Sequence, residues 1–387
     1  MRVFWCLFLL FTFTLPAHAN IRFLTLSDLH YGANNSTGDG LDTGDVLLNV
    51  TLTKLSQLIN PIDFVITLGD FPSHSLGFDS QKEGNERRVF LGLYQADKLA
   101  KPMFYVSGNN DSLQGNYQPF QAHSKSPITL TSEWNSACIH CDGLIIDKTH
   151  MYDSGYYSSY VIPGNKDIIL VALNSIQFAK LAWFQPKYPN QDRDAQIQLQ
   201  WLKTQLKSHH AKQLLIAMHI PPGTNMNDKQ LWQEQYLSQF IALLKLTASQ
   251  YDQITLLTAH THMDDIRKIR LDQTKNIYAF ATPAVSRIHH NYPGMKIFDL
   301  DKQMKIKNYT TFYTTIDNQW TDEQYQALGD KASVFPQCQE LSDLVTCLDS
   351  LTDTSVCKRL QDGLFYGVKN PRVDSTVCRL TYPVNYH

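Results

Sequence analysis

The sequence Leu24-Thr25-Leu26-Ser27-Asp28-Leu29-His30 predicts a buried β-strand that ends in an acid and an imidazole two residues apart. Side chains along a strand alternate between its faces, so Asp28 and His30 are expected to point the same way. A carboxylate beside an imidazole is the beginning of a metal-chelating arrangement. By itself this triplet is weak evidence, because a histidine at a strand end is usually just solvated.

The composition is that of a protein with a substantial core. The chain has 387 residues, 43% of them hydrophobic, enough for one large domain and a smaller appendage. Its 34 basic and 36 acidic residues give a net charge of -2 without any basic run. This pattern argues against nucleic acid as the main partner, and we expect a monomer.

The first nineteen residues read as a secretory signal. Arg2 precedes an apolar core at residues 3–15 and the small-x-small end Ala17-His18-Ala19. A membrane anchor is the alternative, but this core is shorter than the roughly 20 residues that a span needs, and we find no other candidate transmembrane stretch. Cleavage after Ala19 leaves an even set of six cysteines, so we expect disulfides and a secreted or periplasmic protein. The six are Cys138, Cys141, Cys338, Cys347, Cys357 and Cys378.

Apolar runs alternate with helical patterns along the chain, which indicates an α/β layered fold. Several of these runs, like the first, are followed by a polar side chain that can bind a metal ion. In α/β folds such side chains gather beyond the ends of the strands. The full set is Asp28, His30, Asp70, Asn109, His219, His260 and His262.

Carboxylate, amide and imidazole groups without thiolate are suited to zinc, manganese or iron. Seven ligands exceed the needs of one ion, whereas two ions about 3.5–4 Å apart that share a carboxylate would use them all. Asp70 is the expected bridge, because Gly69 lets the backbone approach closely. A hydroxide between two such ions would be nucleophilic near neutral pH.

The ordered motifs Asp28-x-His30, Gly69-Asp70, Gly108-Asn109-Asn110-Asp111, His219 and His260-x-His262 resemble those of the calcineurin-like metallophosphoesterases. The segments His219-Ile220-Pro221-Pro222-Gly223 and Asn291-Tyr292-Pro293-Gly294 are similar to the acid sphingomyelinase-like phosphodiesterase branch.

The resemblance covers residues 21–301 and implies a two-sheet β-sandwich flanked by helices. It also implies two divalent ions, with zinc as the first candidate. The implied substrate is a phosphodiester, phosphomonoester or phosphoanhydride. Asp28, His30 and His262 would bind one ion, Asn109, His219 and His260 the other, and Asp70 both.

One position departs from the family pattern. Asn110 stands where a histidine usually stabilises or protonates the leaving group, and an amide donates a hydrogen bond but no proton. His74 matches a second histidine of the sphingomyelinase-like pattern and is the candidate acid, with a solvated loop histidine as the alternative. His289 or His290 is a further possible substitute, or both are plain surface histidines.

The Gly-Asn-Asn-Asp quartet also resembles that of endopolyphosphatases, whose phosphate leaving groups need little acid catalysis. The sequence therefore leaves three hypotheses about the function open. They are a secreted phosphodiesterase, a phosphoanhydride hydrolase, and a non-catalytic metal-dependent protein that binds a phosphorylated ligand.

Three regions are expected: the signal (1–19), a catalytic domain (20–319) and a C-terminal helical extension (320–387). The extension holds four of the six cysteines, so we expect it to form a small cap that is closed by disulfides. Cys138 and Cys141 are expected to clip one loop. Asp42 or Thr43 is expected to cap the first helix, and Asp264 either orients a histidine ligand or forms a salt bridge.

Overall fold

The computed structural model describes residues 20–33, 39–74, 80–121, 123–134, 136–183, 185, 187–316, 318–361 and 375–386. The signal predicted at residues 1–19 lies outside these residues. No helix in the described part of the chain has the length and apolarity needed to cross a bilayer.

Within the described residues the chain forms fourteen β-strands and seven α-helices. The strands are β1 (Arg22–Leu26), β2 (Phe64–Thr67), β3 (Met103–Tyr105), β4 (Cys138–Ile139), β5 (Ile145–Asp147), β6 (Tyr157–Ile162), β7 (Asn165–Leu173), β8 (Ala211–Met218), β9 (Tyr251–Thr258), β10 (Ile266–Arg270), β11 (Asn276–Ala281), β12 (Gly294–Leu300), β13 (Ile306–Tyr313) and β14 (Glu323–Gln326). The helices are α1 (Asp45–Leu58), α2 (Ser80–Ala96), α3 (Gln191–Ser208), α4 (Glu234–Thr247), α5 (Leu344–Ser350), α6 (Asp353–Arg359) and α7 (Ser375–Thr381).

The strands form two seven-stranded mixed sheets. The first has the order β14-β13-β12-β1-β2-β3-β4, and the second has the order β10-β11-β9-β8-β7-β6-β5. In each sheet the central strands are parallel: β1, β2 and β3 in the first, and β7, β8 and β9 in the second. The carboxyl ends of neighbouring parallel strands therefore meet at one edge of each sheet.

Strand β8 shows why apolar runs predict buried central strands. Its alternate residues Leu214 and Ile216 enter one apolar cluster with α3 and α4, while Leu215 and Ala217 enter the other cluster, between the sheets. All four are fully buried. A strand covered on both faces needs apolar residues at every position, and this explains the unbroken run in the sequence.

Three disulfides are present, Cys138–Cys141, Cys338–Cys347 and Cys357–Cys378. The last two lie in the C-terminal region, which contains the three short helices α5, α6 and α7. Two sheets flanked by helices with a disulfide-clipped helical cap confirm the predicted fold class.

Three local features differ from the sequence pattern. Helix α1 begins after Gly44 without a side-chain cap, so neither Asp42 nor Thr43 has the predicted capping role. Strand β10 was not apparent, because its sequence Ile-Arg-Lys-Ile-Arg carries three basic residues. Strand β14 belongs to the first sheet, although its residues fall in the segment predicted as helical.

Candidate metal centre

The seven predicted ligands converge where the two sheets present the carboxyl ends of their parallel strands. From the first sheet, β1 leads to Asp28 and His30, β2 to Asp70 and β3 to Asn109. From the second, β8 leads to His219 and β9 to His260 and His262. Six of these side chains are buried, and His260 is half-buried.

Five of the seven residues adopt a left-handed backbone conformation that L-residues rarely take. Such conformations cost about 1–3 kcal/mol each and persist only where the surroundings enforce them, commonly at functional sites. The φ values are 49° for Asp28, 42° for His30, 54° for Asp70, 70° for His260 and 60° for His262. Two backbone hydrogen bonds tie the loops together, from Asp28 N to Gly69 O and from His30 N to Asp70 O, each 3.0 Å long.

Two glycines allow the loops after β2 and β3 to touch. A Cβ atom on Gly69 would lie 2.3 Å from the backbone nitrogen of Gly108. One on Gly108 would lie 2.2 Å from Oδ1 of Asp70. Any larger residue at either position would push Asp70 away from the other side chains.

Possible ligand atoms form three groups, of which one is His30, His74 and His262 and the other two share one residue. In Asp28, His30 and Asp70, and again in Asp70, His219 and His260, the possible ligand atoms all lie within 4.8 Å of one another. Oδ2 of Asp70 is 3.2 Å from Nε2 of His219 and 3.6 Å from Nε2 of His30. Asp70 thus stands between the two groups, where a bridging carboxylate has to be.

Several polar atoms in this centre have no hydrogen-bond partner among the described residues. They include Oδ1 of Asp28, Oδ1 of Asn109 and Nε2 of His219, all buried. The Nε2 atoms of His30 and His262 face each other at 3.1 Å. Buried polar atoms without partners are costly in a protein interior, whereas inward-facing oxygen and nitrogen lone pairs are what cations bind. The donor set therefore fits two divalent ions.

The outer ring nitrogens of two histidines are held by backbone carbonyls. Nδ1 of His30 lies 3.1 Å from Pro72 O, and Nδ1 of His219 lies 2.6 Å from Leu68 O. Because the carbonyl can only accept, Nδ1 carries the proton and Nε2 keeps its lone pair for the centre. Such carbonyl contacts are the usual support of a histidine ligand.

Charges in the centre shift the pKa values in opposite directions. Burial disfavours the charged form of His219, but Asp70 and Asp28 outweigh it and raise its pKa to about 9. Burial and the nearby His219 lower the pKa of His260 to about 3. Burial acts to raise the pKa of Asp70, but the nearby His219 outweighs it and lowers this pKa well below its ordinary value. Without metal, the acids are balanced by histidine protons, so cations and protons compete for the same groups.

Asp111 supports the loop that carries Asp70. Its carboxylate accepts hydrogen bonds from the backbone nitrogens of Asp70, Phe71 and Gly108 at 3.1, 2.7 and 2.7 Å, and from the Tyr105 hydroxyl at 2.8 Å. This last residue of the Gly-Asn-Asn-Asp quartet therefore fixes loop geometry from within the core.

Asn110 lies against Asp70. Its backbone nitrogen donates to Oδ1 of Asp70 at 2.7 Å, and its side-chain nitrogen donates to Oδ2 at 2.8 Å. The amide thus orients the shared carboxylate. To reach a leaving group, its side chain has to turn away from Asp70.

His74 lies beside the centre and is held by a residue that the sequence did not single out for this role. Its ring stacks on His30 with 3.8 Å between centroids. Its Nδ1 lies 3.0 Å from Oδ1 of Asp42, and its backbone nitrogen donates to Oδ2 at 2.7 Å. Ser286 Oγ donates to the same carboxylate at 3.0 Å. Asp42 sits in a polar loop whose composition gives no sign of a partner 32 residues away.

Two further expectations concern residues near the centre. The ring of His289 lies 4.6 Å from that of His262 and 6.4 Å from that of His74, so it borders the centre.

Asp264 forms a buried salt bridge with Lys296, and accepts from Thr311 Oγ1 at 2.6 Å. Of the two predicted roles for Asp264, the salt bridge is the one observed.

No family model matches the chain, but curated proteins of Dictyostelium discoideum do. The chain is 25% identical over 312 residues to "Sphingomyelinase phosphodiesterase D", covering 73% of this chain and 65% of that protein. It is 24% identical over 328 residues to "Sphingomyelin phosphodiesterase A", covering 76% of this chain and 53% of that protein. The chain therefore spans less than two thirds of the length of either relative.

Solved structures with a similar chain path include a dimetal phosphatase from Danio rerio, with a TM-score of 0.48 and 14% identity over 76% of this chain and 95% of that chain. A 5'-nucleotidase from Candida albicans matches with a TM-score of 0.42 and 13% identity over 76% of this chain and 51% of that chain.

The motif order, the meeting of two ligand groups at Asp70 and the curated relatives agree with one another. The chain is thus similar to sphingomyelin phosphodiesterases of Dictyostelium discoideum, and its seven candidate ligands are arranged as the resemblance to the calcineurin-like metallophosphoesterases implies.

Proposed function

We propose that the protein is a metal-dependent phosphoric ester hydrolase with a binuclear centre. The observation that carries the proposal is the position of Asp70, whose carboxylate belongs both to the group with Asp28 and His30 and to the group with His219 and His260. One shared acid between two ligand sets is the arrangement that two-metal phosphoesterases need in order to bind both sides of a displacement at phosphorus.

In this proposal Asp28, His30 and His262 hold one ion, and Asn109, His219 and His260 hold the other. Nitrogen and oxygen ligands favour zinc, with manganese or iron as alternatives. When bound, such ions polarise the phosphate and activate water. The remaining steps fall to this chain's own side chains.

His74 is the proposed proton donor to the leaving oxygen. Asp42 accepts from its Nδ1, which leaves Nε2 as the nitrogen that faces outward from the carboxylate. The His74 ring is 37% exposed, so a substrate can reach it. Asn110 has a second proposed role as a hydrogen-bond donor on the leaving side, once its amide turns from Asp70.

A phosphodiester is the proposed substrate class. Support comes from the Dictyostelium relatives, whose names include sphingomyelin phosphodiesterase. A phosphoanhydride is the second candidate, favoured by Asn110, because a phosphate leaving group departs without the proton that an amide cannot give. The three disulfides are consistent with a secreted or periplasmic location, which we also propose.

Hydrolysis of bis(4-nitrophenyl) phosphate by the zinc- or manganese-loaded protein tests the proposal. We expect turnover that Asp70→Ala abolishes and that Asp167→Ala leaves unchanged. Asp167 is the matched control because its side chain is 44% exposed and pairs with Lys212 at the surface. A panel of sphingomyelin, nucleotide diphosphates and triphosphates, and polyphosphate then separates the two substrate classes. Absence of hydrolysis with every phosphate ester and anhydride would refute the proposal and leave a binding protein.

A further inference from the structure

His289 is a chemically capable residue that the proposed function leaves unused. It lies in the loop between β11 and β12, two residues before Asn291. Its ring is exposed to solvent on one side and packs edge-on against His262 on the other, with 4.6 Å between centroids. No described residue forms a hydrogen bond with that ring, so its N–H is available to a ligand.

The loop that carries His289 is fixed in place. Ser286 N donates to Asp28 O at 2.9 Å, which ties the loop to a candidate metal ligand. Asn291 Nδ2 donates to Ser286 O at 2.8 Å and closes the loop on itself. His289 is therefore held beside the centre by its backbone, without using its side chain.

His74 and His289 both border the centre and lie near each other. Their centroids are 6.4 Å apart, too far for the rings to bond to each other directly. His74 packs against His30 and His289 packs against His262, and both of these inner rings belong to the candidate metal centre. Different oxygens of one phosphate group bound at the centre can accept from the two outer imidazoles, since an N–H···O bond spans about 2.9 Å.

We propose that His289 and His74 form a two-imidazole subsite for the phosphate group of the bound substrate, in which His289 donates a hydrogen bond to a non-bridging oxygen and His74 donates to the leaving oxygen. This inference rests on the proposed function. It assigns His289 as the extra imidazole donor in a chain whose position 110 offers only an amide. The ligand chemistry is that of a phosphate ester or anhydride, recognised by imidazole N–H donors beside the cations.

His290 provides a matched control within the same loop. It is the adjacent histidine, but its side chain is 62% exposed and its Nδ1 lies 3.3 Å from Asp39, away from the centre. Substituting either residue removes one imidazole from the same loop, so a general effect on the loop would appear in both variants.

Calorimetric titration of the zinc-loaded protein with inorganic phosphate is the test, with metal content measured on every variant. A hydrogen bond of ordinary strength corresponds to a weakening of about threefold to tenfold, which is the expected change in Kd for His289→Ala. His290→Ala should stay within about twofold of wild type. His289→Gln, which keeps an N–H donor, should recover a large part of the loss.

The outcomes distinguish this inference from the proposed function. A wild-type protein that neither binds phosphate nor hydrolyses esters refutes both. A wild-type protein that does both, with His289→Ala behaving like His290→Ala, overturns the role of His289 alone. Loss of metal from His289→Ala also overturns it, because the ring would then act by supporting His262.

Discussion

Replacing Asp42 by Asn should impair the proton donation that we propose for His74, while the His74 side chain itself stays in place. The Asp42 side chain is only 10% exposed and its carboxylate is the acceptor for His74 Nδ1 at 3.0 Å and His74 N at 2.7 Å. Burial works against the charge of Asp42, but the hydrogen bond from His74 and the charges of His30 and His74 lower its pKa, so Asp42 is ionised at neutral pH. An amide in its place turns one of the two acceptor oxygens into a donor that faces another donor.

The size of the effect follows from the lost bond. A hydrogen bond to a charged group contributes about 1.5–3 kcal/mol, and about 1.4 kcal/mol corresponds to a tenfold change in rate. With a substrate that releases an alkoxide, kcat/KM should therefore fall by about 10-fold to 150-fold. With bis(4-nitrophenyl) phosphate the loss should stay below about threefold, because nitrophenolate leaves without a proton.

The assay compares kcat/KM for both substrates in Asp42→Asn, His74→Ala and the double variant, with metal content measured in each. If Asp42 acts through His74, the double variant is no slower than His74→Ala. Asp39→Asn is the control, since Asp39 is 58% exposed and lies 3.3 Å from His290. Equal losses on both substrates, or additive losses in the double variant, would refute this reasoning.

Two further predictions concern buried charges. Glu86 is fully buried with neither carboxylate oxygen hydrogen-bonded to a described residue, and burial followed by Asp111 raises its pKa well above the ordinary 4.5. Above pH 4.5 the unfolded chain releases this proton while the metal-free folded protein keeps it, so stability falls by up to about 1.4 kcal/mol per pH unit until the raised pKa is reached. Relative to wild type, Glu86→Gln should therefore gain stability as pH rises from 4 to 8 in urea unfolding, and a pH-independent difference would contradict this. Arg267 is fully buried and donates to Asp265 at 3.0 Å, so Arg267→Met should cost about 3–5 kcal/mol in the same experiment. The exposed Arg270 of the same strand is the control, and equal effects of the two substitutions would exclude a special role for Arg267.

The sequence predicted the fold class and the strand ends because both depend on local patterns. Unbroken apolar runs mark strands covered on both faces, as β8 demonstrates, and each run is followed directly by its polar group. The order of these groups along the chain then identified the family pattern. The three C-terminal helices and their two disulfides agree with the predicted cap.

Other features escaped the sequence because they depend on contacts between distant segments. Asp42 looked like a helix cap, but its partners are His74 and Ser286, 32 and 244 positions away. Asn110 was expected on the leaving side of the substrate, and only the structure gives its two hydrogen bonds to Asp70. Strand β10 carries basic residues at three of its five positions, one of which is the buried Arg267, so its sequence resembles that of an exposed segment.

Anomalous diffraction at the zinc edge, from crystals grown with zinc, tests the central claim most directly. Two peaks about 3.5–4 Å apart are expected, with the Asp70 carboxylate in contact with both. A single peak, or two peaks of which Asp70 touches only one, would contradict it.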